Sequence, residues 1–233
     1  MKKQTLDVKR IEMKHLISIS GKLYLIENLK KILNEDTYGE NGYYNVRSLY
    51  FDNENDQDYI DKLENAEIRK GIRLRIYTPM DKTAKLEIKR KNGDNQQKSS
   101  LKIKRNDAIE IINGNYEVLK KYSTPVANEL YKIMIKENYR PVTVVNYHRK
   151  AFDSRTLGVR ITIDSNITYN NYEFNIFDEK LPLYNLSSIG ENVLEIKLEN
   201  DMPKSLDKIL NEVPKIGKPS SKYKRSRLLL TAI

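Results

Sequence analysis

The segment Ile72-Arg73-Leu74-Arg75-Ile76-Tyr77 sets two guanidinium groups two residues apart among apolar side chains. Side chains of a strand alternate between faces, so Arg73 and Arg75 project from one face while Ile72, Leu74 and Ile76 occupy the other. The same alternation recurs in Lys85–Lys89, Leu101–Lys104, Val159–Asp164 and Leu194–Glu199. Together with a strand through Arg149, these segments place Arg73, Arg75, Lys89, Lys102, Lys104, Arg149, Arg160 and Lys197 on polar strand faces. A guanidinium fork matches phosphate oxygens and an ammonium supplies a compact charge, so the chemistry offered is the binding of a polyanion. Crowded cations cost repulsion and desolvation unless an anion lies among them. The plain alternative is the solvated face of an ordinary sheet with surface ion pairs.

Glu12, Glu87, Glu195 and Glu199 share those faces. An anion groove gains nothing from them, whereas carboxylates beside phosphate-binding cations suit a divalent ion of the Mg²⁺ or Mn²⁺ type. For Glu12 and Glu87, internal salt bridges with Lys and Arg account for the pattern equally well.

The elements that must position these side chains follow from the same periodicities. Further strands are expected at Arg10–Lys14, Tyr43–Phe51 and Val142–Phe152, and Lys91-Asn92-Gly93-Asp94 marks a hairpin turn. Helical spacing links Leu23, Ile26, Leu29 and Leu33; it links Val126, Leu130, Ile133 and Met134 after the cap-and-proline pair Thr124-Pro125; and it links Leu206, Ile209, Leu210 and Val213 after Pro203. Apolar helix stripes need a surface to cover, and the apolar strand faces supply it. The charged faces are then free to curl inward, which also removes sheet edges. The expected fold is α+β: a closed antiparallel β-barrel tunnel with helices packed outside, formed by residues 1–233 as one domain.

The chain has 233 residues, with 42 Lys plus Arg against 32 Asp plus Glu, a net charge of +10 that calls for an anionic partner. It contains no cysteine and only two histidines, His15 and His148, which excludes thiolate chemistry and makes a zinc site or a histidine relay a poor fit. No apolar run approaches the roughly 20 residues of a membrane span, and the N-terminus does not read as a signal peptide, so a cytoplasmic location is expected. The 16 tyrosines raise the question of stacked bases, but they are scattered, and carboxylates among the cations would repel a nucleic-acid backbone. No nucleic-acid partner is expected.

In their order along the chain, these segments resemble the VTC-type polyphosphate polymerase domain, a branch of the triphosphate tunnel metalloenzymes related to the CYTH proteins. The resemblance rests on Arg10-Ile11-Glu12-Met13-Lys14, Ser48-Leu49-Tyr50-Phe51-Asp52, Ile72-Arg73-Leu74-Arg75, Glu87-Ile88-Lys89 and Ser100-Leu101-Lys102. It continues through Tyr147-His148-Arg149-Lys150-Ala151-Phe152, Val159–Asp164, Leu194-Glu195-Ile196-Lys197-Leu198 and Ser221-Lys222-Tyr223. It implies a tunnel of about eight strands and transfer of the terminal phosphoryl group of ATP onto polyphosphate, with Mn²⁺ or Mg²⁺. Carried over by position, Arg73, Arg75, Lys89, Arg149, Arg160 and Glu195 would be catalytic. Lys14, Lys102, Lys104, Tyr147, Lys197 and Lys222 would join the arginines and Lys89 around the phosphates. Glu195 would hold the metal, with Glu12 and Glu87 as further candidates. The implied partners are ATP and inorganic polyphosphate or triphosphate, and a tripolyphosphatase or a non-catalytic polyphosphate binder stands as the alternative. Arg10 departs from the pattern of the CYTH relatives, which carry a glutamate there, and the basic run Lys222–Arg227 exceeds what a tunnel lining requires.

Overall fold

The computed structural model describes residues 5–7, 11–39 and 42–229. Its strands are β1 (Thr5–Asp7), β2 (Ile11–Ile17), β3 (Asn34–Glu35), β4 (Tyr43–Asp52), β5 (Ile68–Ile76), β6 (Thr83–Asn92), β7 (Asn95–Lys104), β8 (Arg140–Ser154), β9 (Val159–Asn170), β10 (Tyr184–Asn185) and β11 (Asn192–Leu198). The helices are α1 (Ile19–Leu29), α2 (Gln57–Leu63), α3 (Arg105–Ile112), α4 (Pro125–Lys136), α5 (Lys204–Asn211) and α6 (Lys222–Leu228), with a 3₁₀ segment at Tyr116–Lys121. Arg10, expected to open the first strand, lies outside the described residues.

The α+β, antiparallel character holds. The sheet follows the order β1-β7-β6-β5-β4-β8-β9-β11-β2, with β10 beside β9 and β3 beside β8. The main path thus has nine strands rather than about eight. Among the described residues its hydrogen bonding does not close: β1 and β2 are its two edges. Those edges are consecutive in the chain, and four residue steps from Asp7 to Ile11 span at most about 14 Å. The sheet is strongly curled. On a flat sheet β6 and β2, six strand spacings apart on this path, would be separated by roughly 29 Å. Instead the ammonium of Lys89 on β6 feels the charges of Glu12 and Lys14 on β2 and of Lys197 on β11.

Ladder register shows why the sheet curls this way. Arg73 sits opposite Tyr50 and Glu87, Glu87 opposite Ser100, Tyr44 opposite Arg149, Arg149 opposite Asp164, and Glu195 opposite Thr162 and Lys14. One face therefore carries the charges. The other carries Ile72, Leu74, Leu86, Ile88, Leu101 and Ile103, buried under α3, α4 and the 3₁₀ segment, and Ile161, Ile163, Leu194 and Ile196, buried under α1 and α5. Helix α4 begins as its sequence directs: the Thr124 hydroxyl accepts from Ala127 N–H, Pro125 occupies the first turn, and Val126, Leu130 and Met134 are buried. Helix α1 departs from expectation. Leu23 is 60% exposed, and the buried stripe is Gly21, Leu25 and Leu29, because Gly21 lies against Val213, where a Cβ would come within 2.6 Å of Cγ1.

Helices α2 and α6 close over one end of the charged face, tied by Asp52. This fully buried carboxylate accepts from the Asn53, Asp58 and Tyr59 amides and from the Tyr223 hydroxyl. Tyr139 donates to Asp58, whose carboxyl is pushed up to about 6 by burial despite Lys70 nearby. The basic C-terminal run is explained here too: Arg225 pairs with Glu191 and Arg227 with Asp56.

Candidate phosphate site

The curled face has two walls and a seam. On β5–β7, Glu87 is 3% exposed. It accepts from Arg73 Nε at 2.7 Å, pairs with Lys98, lies 3.9 Å from Arg75 and receives Ser100 Oγ at 3.4 Å. Burial alone would raise its pKa, but Arg73, Arg75 and Lys98 pull it down to about 2. Arg75 Nε donates to Ser48 at 3.3 Å. Lys89 and Lys102 are exposed side chains on the charged face, Lys102 opposite Lys85, and among the described residues neither makes an ion pair. Enclosure depresses the pKa of Lys89, through desolvation first and neighbouring lysines after it.

On β2, β9 and β11, Lys14 bridges two carboxylates, with Nζ 2.6 Å from Glu12 and 3.3 Å from Glu195. Glu195 is also 3.5 Å from Lys197 Nζ and 3.9 Å from Arg149. Burial opposes its ionisation, yet a hydrogen bond shared with Glu12 and the charges of Lys14, Lys197 and Arg149 hold its carboxyl well below the usual range.

The seam is Asp164, buried beneath both cations it orients: Arg149 bonds it in bidentate fashion at 2.7 and 2.9 Å, and Lys222 at 2.7 Å. Tyr147 lies under these groups as an aromatic plate, 5.2 Å from the Arg149 guanidinium and 4.6 Å from the Lys222 ammonium. Ser221 caps α6 by accepting from Lys224 N–H, which fixes Lys222 at the first turn, aimed at Asp164.

Two expected members stand apart from this centre. Arg160 is at the rim, paired with Asp153 at 3.1 Å and Asp36 at 3.3 Å. Lys104 is exposed where β7 turns into α3, and its charge acts on Asp107 of that helix.

A divalent ion can be weighed against these donors. Among the described residues no group of three or more acidic or histidine side chains could hold a metal. Glu12 and Glu195, however, already converge on one cation, the Lys14 ammonium. That pair fits an ion of the Mg²⁺ class, which takes one or two carboxylates and completes its shell with water and substrate phosphate. Glu87 is instead surrounded by Arg73, Arg75 and Lys98.

The VTC domain family model matches residues 9–231 of the chain. The chain belongs to the VTC domain family. Its fold is also similar to two solved structures. A candidate adenylate cyclase from Bacillus halodurans aligns with a TM-score of 0.55 at 12% identity, covering 95% of this chain and 98% of that one. A candidate adenylyl cyclase from Hippeastrum, described as having a dominant triphosphatase activity, aligns with a TM-score of 0.56 at 13% identity over 94% and 95%.

This VTC domain also places in the cavity residues that sequence reasoning passed over. Lys62 of α2 lies near Tyr50, Arg73 and Lys14, its pKa lowered chiefly by desolvation, with its ammonium 5.5 Å from the Tyr223 ring. Lys98 faces inward from β7, and Tyr50 is half-buried: burial would raise its hydroxyl's pKa, but Arg73, Arg75 and Lys62 lower it. The signal for Lys98 and Asp164 was present, since they share parity with Lys102 and Arg160 on their strands. Lys62 had no such signal, because it arrives on a short helix.

Proposed function

We propose that this VTC domain transfers phosphoryl groups along a triphosphate or polyphosphate chain held in the cavity, and that the transfer builds polyphosphate from ATP. The observation that carries this reading is the convergence of Arg73, Arg75, Lys89, Lys62, Lys14, Arg149 and Lys222 from four strands and two helices onto one enclosed face. Lys89 and Lys62 are partly desolvated there, and among the described residues neither makes an ion pair with a carboxylate. Only a highly charged guest makes such crowding favourable. Membership of the VTC family and the triphosphatase activity described for the Hippeastrum protein support an enzyme acting on phosphates. On this reading the curled sheet functions as a tunnel.

Arg73, Arg75 and Lys89 grip the donor's phosphates from one wall, while Arg149 and Lys222 hold the chain from the other. This in-line positioning is the larger part of phosphoryl-transfer catalysis. Glu12 and Glu195 hold the divalent ion, which when bound neutralises charge on the phosphate oxygens. Polymer synthesis is favoured over hydrolysis by the state of the carboxylates. Glu87 and Glu195 both have lowered pKa values and are poor bases for activating water. A polyphosphate end is already ionised near neutral pH and needs no base.

The test is to incubate the purified protein with ATP and Mn²⁺ or Mg²⁺ and resolve the products on a gel. Long phosphate polymer is expected. Release of free phosphate alone would replace the polymerase with a phosphatase, and tight polyphosphate binding without turnover would leave a binding module.

A further inference from the structure

The end of the cavity opposite α2 and α6 carries a different chemistry. Tyr44 on β4 and Tyr77 just beyond β5 share the parity of the cationic face, and Tyr38 reaches them from the segment after β3. The three rings pack pairwise. Tyr38 lies 6.1 Å from both Tyr44 and Tyr77, and those two are 5.8 Å apart, with interplanar angles of 55–75°. Edge-to-face packing fixes Tyr38 while leaving it 67% exposed. Cations border the trio: Lys85 Nζ stands 5.4 Å from the Tyr77 ring, and Arg160 donates to the Tyr44 hydroxyl at 3.4 Å. From there the charged face runs inward. Lys85 is opposite Arg75 and Lys102, and Ser48, bonded to Arg75, lies four residues along β4 from Tyr44, about 14 Å at strand rise.

We propose that Tyr38, braced by Tyr44 and Tyr77, is a stacking platform for the base of a nucleoside triphosphate whose phosphates extend past Lys85 toward Arg75. This rests on the phosphate-binding reading of the cavity and deepens it, because it gives the base of the nucleotide donor a named contact that the phosphate clamps do not supply. A flat aromatic face beside a cationic channel matches a molecule with a π-surface at one end and a string of negative charges at the other. Asp36 and Asp153 on the same rim, each paired with Arg160, disfavour a continuous nucleic-acid backbone.

The chain has no tryptophan, so Tyr38→Trp provides a single fluorescent reporter on an exposed site. ATP is expected to quench it, and inorganic triphosphate is expected to bind without quenching. In calorimetry Tyr38→Ala is expected to weaken ATP by about tenfold, the scale of one base–aromatic stack, and to leave triphosphate affinity unchanged. Equal affinity of ATP for Tyr38→Ala and the parent chain would overturn the platform. So would an equal loss for ATP and triphosphate, which would reduce the trio to a structural anchor. If neither ligand binds the parent chain, the phosphate reading itself falls, an outcome distinct from the other two.

Discussion

Glu87 and Glu195 are the same residue type, both nearly buried on the same curled face, and both are held ionised, yet their surroundings differ in kind. Glu87 is enclosed by Arg73, Arg75 and Lys98 on a wall whose other charges are positive. Glu195 stands beside a second carboxylate, Glu12, and the cation between them is the half-exposed ammonium of Lys14. A carboxylate saturated by fixed cations organises those cations. A carboxylate paired with another and bridged by a flexible lysine marks a place where a stronger cation can sit. On the function proposed above, this difference gives donor alignment to the β5–β7 wall and metal binding to the β2–β11 wall.

The sharpest way to break this division is Glu195→Ala. Turnover with ATP is expected to fall about 10²–10³-fold, the scale of losing one preorganised electrostatic stabiliser, and the dependence on Mn²⁺ is expected to shift to higher concentration. Near-parental turnover with an unchanged metal titration would place the ion elsewhere. Glu87→Gln is expected to act differently: kcat falls about tenfold as Arg73 loses its orientation, while the metal titration keeps the parental midpoint. A shifted midpoint would make Glu87 a ligand and erase the distinction.

The Glu87 wall also makes a stability prediction with a definite sign. Its pKa in the fold is about 2, below the ordinary 4.5, so the native state binds fewer protons than the unfolded chain across that interval. The ion-pair contribution, on the order of 3 kcal/mol at 1.36 kcal/mol per pKa unit, is present above pH about 4.5 and lost as pH falls toward about 2. The difference in thermal stability between the parent and Glu87→Gln should therefore be widest above pH about 5 and close progressively on acidification. A gap independent of pH would mean that the pairs contribute through packing alone.

Much of this was legible in the sequence because period-two alternation needs no tertiary information. The strands through Arg73, Glu87, Lys102, Arg149, Arg160 and Glu195 were marked by their own apolar neighbours, and ladder register puts all six side chains on one face. The Thr124-Pro125 helix start was equally local. What was not legible depends on distant partners. The Leu23 stripe failed because Gly21 packs on Val213, nearly 200 residues away. Arg160 is drawn to the rim by Asp36 and Asp153, and the basic run from Lys222 is a helix neutralised by Glu191 and Asp56. Helix α2 is short, and the buried carboxylate that bonds its first amides, Asp52, belongs to β4.

Lys62 on that helix tests whether the two walls act on one substrate. It lies near Lys14 of the metal wall and Arg73 of the donor wall. Among the described residues it makes no ion pair with a carboxylate, whereas Lys98 is committed to Glu87. An ammonium in that position can reach a phosphate held between the walls, but it touches neither the metal pair nor the arginine clamp directly. Lys62→Ala is therefore expected to raise KM about fivefold, the cost of one charge-assisted contact in a partly solvated site, with kcat and the metal midpoint near parental values. A fall in kcat with unchanged KM would mean that Lys62 works only in the transition state. No change in either would mean that phosphate does not pass between the walls at that level, and that the cavity is used from one side alone.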